Sequence, residues 1–390
     1  MLEQGEYLPL DLLLQEGRLS YADYEAWRNG EQRLLDEVLF GDPELIGQLL
    51  AEAERYLKQR GWQADTLRYE PWRSTPQNGR SQALQFSANR ALNDCFHRRY
   101  RKPQDQPQLD LFTDSPVTSL VNGITLALID RHPAEARRLL ERLTDIAPDH
   151  ARLGALEYLT EAAEAQNAPV DDIRAELHRL QQTLTPLADS VLGTASRHLL
   201  IPLWRRLSQA LQDRPFDADE PELHLSYSAA QALDWPAVRQ AVEHETHWQR
   251  DADLLLRHAD ACDRQHDFAS ALPSWFMLCW QFPQRAAALD ACGNPDLRQQ
   301  WSAFQDLDPD LAVQAFPAWL LLKRPGLTNT LPAPVIGDDG CPASYGTLYA
   351  LQRHRVETEG ASTADEMALR AQLKEHDPAL FQHFFETIGV

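Results

Sequence analysis

Residues 251–283, DADLLLRHADACDRQHDFASALPSWFMLCWQFP, contain two helical patterns separated by a short turn. Apolar residues recur at three- and four-residue spacing in each half, which is typical of amphipathic helices that pack as a hairpin. Residues 117–148 repeat this arrangement, with His132 and Pro133 in the turn. Each hairpin is apolar on two sides, and it buries both only by stacking on a neighbour. The sequence therefore predicts a layer of stacked helical hairpins.

The two hairpins align position by position: Ala136 with Ala271, Leu140 with Trp275, and Pro148 with Pro283. This pattern resembles the tetratricopeptide repeat, in which a small residue opens the second helix and a proline closes it twelve positions later. A weaker third unit includes Trp235, which precedes Phe268 by 33 residues, close to the 34-residue period of that family. The Gly-Tyr pair expected in the first helix is absent, and 151–222 lacks the repeat spacing. The resemblance covers three irregular units between about 117 and 285.

Composition indicates a folded protein with an acidic surface. The chain has 390 residues, 43% of them hydrophobic, and a formal net charge of −21. Such a balance argues against a broad nucleic-acid or membrane surface, because phosphate groups bind to basic faces. Five scattered cysteines without a CxxC pair fit a reducing compartment. No apolar run approaches the ~20 residues that span a bilayer, and the acidic N-terminus has no basic segment of a secretion signal, so we expect a cytoplasmic protein.

The first hundred residues are predicted to be mainly helical. Ser20 and Asp23 match a capping box, and Asp42 before Pro43 matches a helix start. Gly30 and Gly61 are predicted to end the two helices that follow. In the second helix, the spacing predicts a buried face made of Leu45, Leu49, Ala53 and Leu57, with Tyr56 alongside. A further helix is predicted from about residue 88 to residue 100, and the basic run 97–102 then lies at its end, where it suits the helix dipole or a local nucleic-acid contact.

The C-terminal part follows a long loop. The helical pattern breaks at Arg324, and a Pro/Gly-rich segment of about twenty residues follows, of the kind that carries function or wraps over a domain. The apolar last helix is expected to dock back on the body. The predicted organisation is all-α, with an N-terminal helical domain (1–100), a linker (101–116), a tetratricopeptide-like domain (117–322), and the loop with C-terminal helices (323–390).

The sequence contains few candidate catalytic residues. The phosphate-binding fingerprints GxxxxGK[ST] and GxGxxG and the GxSxG elbow are absent. His244 and His247 could share a helix face and bind a metal with a third residue, with Asp251 and His258 nearby, although a solvated helix face is the simpler interpretation. Cys341 could be a nucleophile if a base such as His354 reached it, although the preceding Asp-Asp-Gly is typical of a turn. We therefore expect no cofactor, no metal and no enzymatic activity.

One short motif suggests a partner. The pentapeptide Gln108-Leu109-Asp110-Leu111-Phe112 resembles the motif by which bacterial replication and repair proteins dock on the DNA sliding clamp. The resemblance implies that Gln108 is the polar anchor, that Leu111 and Phe112 are the apolar anchors, and that Leu109 and Asp110 connect them. Prolines on both sides favour the extended conformation that such peptides need. Alternatively, these apolar residues pin the linker to the protein's own surface.

These observations favour a non-catalytic scaffold or adaptor for protein–protein interaction, because stacked helical hairpins offer concave surfaces for peptides. A second hypothesis is an accessory factor of replication, repair or defence that reaches the sliding clamp through residues 108–112. A third is an enzyme that uses Cys341 or the pair His244 and His247.

Overall fold

Helices form most of the protein, which confirms the all-α prediction. A computed structural model describes residues 6–72, 83–102, 116–308, 310–334, 340–358 and 364–388. The chain divides into two units. The first comprises Met1–Asp213 and Gln231–Asp234, and the second comprises Arg214–Ala230 and Trp235–Val390.

The first unit begins with four helices and a small sheet. The helices are α1 (Pro9–Gln15), α2 (Tyr21–Arg28), α3 (Pro43–Gln59) and α4 (Arg90–Phe96). The strands are β1 (Glu6–Tyr7), β2 (Gln63–Thr66) and β3 (Arg98–Arg101), antiparallel in the order β1-β3-β2. Tyr100 on the central strand faces Tyr7 and Ala64 on its neighbours. The N-terminal part is thus helical with an added three-stranded sheet.

The predicted caps are confirmed. The Ser20 hydroxyl accepts a hydrogen bond from the Asp23 amide at 3.1 Å, and the Asp42 carboxylate accepts one from the Glu44 amide at 2.9 Å. Each bond satisfies an amide that the first turn of a helix leaves without a partner. Gly61, which follows the end of α3, has φ +78°, a conformation that glycine adopts without steric cost.

The predicted buried face of α3 is wrong for three of its residues, Leu45, Leu49 and Tyr56, which are exposed. The helix buries Ile46, Leu50 and Leu57, whereas Leu45 and Leu49 are 57% and 50% exposed. Both sets of residues have helical spacing and lie on adjacent stripes, so periodicity alone does not distinguish them. Leu57, which both stripes share, packs with Tyr7, Trp62 and Tyr100, and contact with α4 accompanies the burial of the stripe that contains Ile46 and Leu50.

The helix predicted up to residue 100 ends at Phe96, and the basic run that follows forms β3. Tyr100 is buried among Tyr7, Leu57 and Trp62, which favours the strand over a longer helix. Arg98 forms an ion pair with Glu54 at 2.5 Å, and Arg99 and Arg101 lie 3.6 and 3.7 Å from Asp65. The positive charge of the run is therefore partly compensated by neighbouring carboxylates.

The rest of the first unit is helical. It contains α5 (Pro116–Ile129), α6 (Pro133–Ile146), α7 (Leu153–Glu164), α8 (Ile173–Arg179), α9 (Thr185–Leu192) and α10 (Ser196–Ala210), with a π-helical turn, Leu180–Leu184, joining α8 to α9. Charged contacts tie these helices to the N-terminal part: Arg28 pairs with Asp130 at 2.6 Å, and Arg131 pairs with Glu25 at 2.7 Å. The predicted linker 101–116 falls inside this unit, and the predicted four-segment organisation stays a prediction.

Apart from Gln231, the last residue of α11, the second unit contains the helices that follow: α11 (Leu225–Gln231), α12 (Trp235–His244), α13 (Ala252–Arg264), α14 (Phe268–Gln281), α15 (Pro295–Gln305), α16 (Phe316–Lys323), α17 (Ala343–Glu357), α18 (Ala364–His376) and α19 (Pro378–Ile388). Its core surrounds Trp275 and Phe276. Helix α16 ends at Lys323, as predicted. Leu380 and Phe384 of α19 are completely buried against this core, which confirms that the C-terminal helix docks on the body.

The two aligned hairpins, α5–α6 and α13–α14, share their local geometry. Arg131 and His266, in the two turns, both have φ +58°, and Leu233, before α12, has φ +56°. Each second helix ends on a residue of similar backbone conformation directly before a proline, Ala147 at φ −143° and Phe282 at φ −131°. The aligned positions thus adopt matching backbone conformations, while membership of the tetratricopeptide-like family stays a prediction.

Among the described residues, none of the helices is long and apolar enough to cross a membrane.

Candidate functional site

The pentapeptide 108–112 lies outside the described residues, so its prediction is untested. The other predicted candidates lie in the second unit.

Cys341 lies just before α17 and is 6% exposed. Its thiol is 3.8 Å from the carbonyl oxygen of Pro342, and burial raises its pKa to about 11. A cysteine nucleophile needs the opposite shift, because the thiolate is the reactive form. His354, the suggested base, is near the other end of α17, roughly 16 Å away along the helix axis. The two residues are therefore not brought together.

His244 and His247 do not share a helix face. Helix α12 ends at His244, and His247 has φ +61° in the turn that follows. Both side chains are exposed. Within the described ranges, no group of three histidine, cysteine or acidic residues is arranged to hold a metal.

His258, the suggested third ligand, is a buried residue with structural partners. Its Nδ1 is 2.8 Å from the Ser274 hydroxyl, its Nε2 is 3.2 Å from Glu243, and Trp248 stacks on the ring. Desolvation lowers the pKa of His258 despite the nearby carboxylate. Ser274, His258 and Glu243 are connected in the same way as the residues of a catalytic triad. However, Ser274 is only 1% exposed. These contacts join α12, α13 and α14.

A second buried histidine has a similar set of partners. His224 is 2.8 Å from the Ser226 hydroxyl and 3.3 Å from Glu245. Desolvation lowers the pKa of His224. Glu243 and Glu245, which belong to the acidic and histidine-rich run 243–247, thus contact buried histidines outside that run.

The second unit contains an apolar pocket walled by three aromatic rings. Phe276 and Trp280 are one turn apart on α14, so they project from the same face. Tyr345, in the first turn of α17, meets both rings edge-on, with centroid distances of 5.7 Å to Phe276 and 4.9 Å to Trp280. Such edge-to-face contacts fix the orientation of the rings. We call this feature the aromatic pocket.

The opposite wall is the described part of the long loop. The hydroxyl of Tyr349 lies 3.0 Å from the carbonyl oxygens of both Thr328 and Leu331. This contact holds the chain before 332–334 against α17. Whether the whole loop carries function or wraps over the domain stays a prediction, because residues 335–339 lie outside the described part of the chain.

Gly340 brings the end of the loop close to α14. Its φ is +75°, and a Cβ atom at this position would lie 2.9 Å from Cγ of Gln281. Any other residue here would be strained and crowded. Glycine therefore allows Cys341 to reach the pocket.

The aromatic pocket has a volume of about 240 Å³. None of its lining residues carries a formal charge: Pro273, Phe276, Met277, Trp280, Leu331, Pro332, Ala333, Pro334, Cys341 and Tyr345. A pocket of this size and polarity accommodates one or two apolar side chains or a small apolar group.

The sequence analysis identified the loop and Cys341 but missed the aromatic residues. The pair Phe276 and Trp280 at i, i+4 beside the buried Trp275 is a signal that could have identified this face of α14. The partner ring, Tyr345, is 65 residues farther along the chain, and no local pattern connects it to α14.

Comparison with known proteins gives no relative. No protein-family model matches the chain, and no match was found among curated proteins or solved structures.

Proposed function

We propose that the protein is a non-catalytic adaptor that binds a partner protein by accepting an apolar side chain in the aromatic pocket. The pocket is the observation that carries this proposal, because it is concave, apolar and preformed. Burying a leucine- or phenylalanine-sized side chain contributes roughly 1.5–3 kcal/mol. Binding sites on proteins concentrate their energy in such pockets, surrounded by weaker contacts.

The fixed positions of the pocket's aromatic rings support this role. Phe276 is 1% exposed and Tyr345 is 3% exposed, so their rings are already immobilised by packing. Binding of a partner would therefore not incur the entropic cost of ordering these rings.

The surroundings of the cysteines support a cytoplasmic, non-catalytic protein. All five cysteines are free, and four of them are buried, which is compatible with a reducing compartment. Burial raises the pKa of Cys341 and of Cys279, so both thiols stay protonated at neutral pH. In this proposal Cys341 is a packing residue of the pocket.

The test is a selection from a displayed random-peptide library. Ala333 is exposed at the pocket, so Ala333→Glu introduces a carboxylate at its edge with little effect on folding. Ala303→Glu, at an exposed position of α15 outside the pocket, is the matched control. We expect wild type and Ala303→Glu to enrich peptides with a common apolar anchor, and Ala333→Glu to lose them. Failure to enrich any such consensus, or equal enrichment by all three proteins, would refute the proposal.

A second proposal is that residues 108–112 dock on a DNA sliding clamp. The observation that favours it is the match of all five positions, Gln108 to Phe112, to the clamp-binding pentapeptide. Purified clamp should retain wild type and Thr113→Ala but not the double variant Leu111→Ala/Phe112→Ala. Equal recovery of the three proteins would exclude clamp docking and leave the adaptor proposal unaffected.

A further inference from the structure

The first unit contains a polar cleft that none of the functions above uses. Its volume is about 800 Å³. Helix α2 and the residue after it, the segment after β2, the turn between α5 and α6, the segment after α7 and helix α10 contribute its lining residues: Glu25, Asn29, Trp72, Arg131, Gln166, Asn167, Ala168, Pro169, Val170, Pro202, Arg205, Arg206, Gln209 and Ala210. Three of these are arginines and one is a glutamate, on a chain whose net charge is −21. We call it the arginine cleft.

Two of the arginines share one carboxylate. Arg131 donates to Oε1 of Glu25 at 2.7 Å, and Arg205 donates to Oε2 of the same residue at 2.7 Å. Two guanidinium groups around one carboxylate leave one positive charge uncompensated at short range. Asp234 acts on Arg205 as an additional, weaker negative charge.

The third arginine has a similar arrangement. Arg206 forms an ion pair with Glu176, which also receives two hydrogen bonds from Arg179 at 2.8 Å. Arg206 also donates to the carbonyl oxygen of Ala165 at 2.6 Å. A second pair of guanidinium groups thus shares a single carboxylate, and one of the two, Arg206, lines the cleft.

The cleft arginines are held in place before any ligand arrives. Arg131 donates through Nε to the carbonyl oxygen of His198 at 2.9 Å, and its guanidinium lies 4.1 Å from the ring centroid of Trp72. Arg205 is more accessible, with 40% of its side chain exposed. Its bonds to Glu25 use the terminal nitrogens, so its Nε side remains available to an anion.

Polar groups surround the arginines. Asn29, Gln166, Asn167 and Gln209 all line the cleft, and their side-chain amides make no hydrogen bond with other residues that the structure describes. Each amide offers donors and an acceptor to a ligand. The combination of a charged wall and free amides suits a molecule with an anionic group and a polar body.

We propose that the arginine cleft binds a small organic anion, with its carboxylate or phosphate group against Arg205 and Arg131 and its polar body against the amides. The volume falls within the range of small-molecule sites, roughly 300–1,000 Å³. Charge-assisted hydrogen bonds from a guanidinium group suit carboxylate and phosphate alike, so either chemistry fits Arg205. Arg131 contributes mainly its charge, because its three nitrogens already donate to His198, Glu25 and Tyr21.

Isothermal titration of the full chain with inorganic phosphate, citrate and ribose 5-phosphate tests the proposal. We expect saturable binding of at least one of them at one site per chain. Binding of citrate alone identifies a carboxylate ligand, whereas binding of ribose 5-phosphate or phosphate identifies a phosphate ligand. Absence of binding by all three would overturn the proposal.

Two variants locate the site, each with a matched control. Arg205→Gln should weaken the affinity by about tenfold or more, because it removes the exposed charge. Arg137→Gln, which breaks an ion pair with Glu164 on the surface of the same unit, should leave it unchanged.

Gln209→Glu is the second variant, since Gln209 is exposed and its substitution leaves the core intact. The new carboxylate should repel the anion and also weaken binding about tenfold, whereas Gln212→Glu, one turn farther along and outside the cleft, should not. If Arg205→Gln fails to fold, Gln209→Glu decides the outcome. Wild-type affinity in both cleft variants, or in Gln209→Glu alone in that case, would overturn the proposal.

Discussion

We expect Asp263 to make the stability of the second unit dependent on pH. The residue is 2% exposed, near the end of α13, and its Oδ2 accepts hydrogen bonds from the Trp275 indole and the Gly293 amide, both at 3.1 Å. Its Oδ1 has no hydrogen-bond partner within the described part of the chain. Burial raises the pKa of this carboxyl from 3.8 to about 6. Asp263→Asn keeps an oxygen for both donors and removes the charge.

The direction in which the free energy of unfolding changes with pH follows from proton binding. Between pH 3.8 and 6 the unfolded chain has lost the proton of Asp263 while the folded protein retains it, so the free energy of unfolding falls as the pH rises. Above the pKa of Asp263 in the folded protein, the residue is ionised in both the folded and the unfolded state, and the stability falls no further. A shift of about two units corresponds to ~3 kcal/mol. The variant lacks this loss, so its stability relative to wild type should increase by ~3 kcal/mol from pH 4 to pH 7.

Urea unfolding followed by circular dichroism, at a series of pH values between 4 and 7, measures this difference. Tryptophan fluorescence reports the same transition near Trp275. Asp306→Asn, at an exposed position of the same unit, controls for the loss of one carboxylate. Parallel stability profiles for wild type and Asp263→Asn would refute the reasoning, because the buried carboxyl would then cost nothing to ionise.

Three further predictions concern stability and are measured by urea unfolding. Ile46→Ala should cost about 3 kcal/mol because it leaves a cavity, whereas Leu45→Ala should change stability by less than about 1 kcal/mol, and equal losses would contradict the observed face of α3. Glu25→Ala should lower the free energy of unfolding by roughly 3 kcal/mol, because it leaves two cleft arginines without their carboxylate. Glu135→Ala, on the surface, should lower it by under ~1 kcal/mol. A similar small loss for both variants would contradict the stabilising role of Glu25. Gly340→Ala should cost at least about 1 kcal/mol through its positive φ, and unchanged stability would show that the loop adjusts freely.

Features encoded over a few residues could be predicted from the sequence. The cap at Ser20 depends on one hydroxyl and an amide three residues away, and the turn before α6 depends on His132 and Pro133. Such interactions are complete within one turn of helix, so the local sequence specifies them. The docking of α19 was likewise predictable, because its apolar residues have no other way to leave water.

Features that depend on distant residues could not be predicted. The two stripes of α3 are both apolar, and only contact with α4 and the sheet decides that Ile46 is buried and Leu45 is not. Tyr100 joins a strand because Tyr7 and Trp62 pack around it, and these partners are distant in sequence. Tertiary contacts override local propensity in both cases.

Both candidate sites are also assembled from distant segments. The aromatic pocket combines α14, part of the long loop and α17, and the arginine cleft joins Glu25 to Arg131 and Arg205. The charged residues of the arginine cleft are scattered through the sequence. No spacing distinguishes them from charged residues that only face solvent. Histidine and cysteine patterns therefore point to His258 and Cys341, both of which are buried, and give no sign of the arginines.

The adaptor proposal is tested most directly by titrating one peptide, selected for its apolar anchor, onto the wild-type protein and the two alanine-to-glutamate variants. We predict saturable binding to wild type and to Ala303→Glu. Ala333→Glu, or replacement of the anchor by alanine, should weaken that binding by at least about tenfold, the equivalent of one buried apolar side chain. The same affinity in all four measurements would contradict the claim that the aromatic pocket binds a partner.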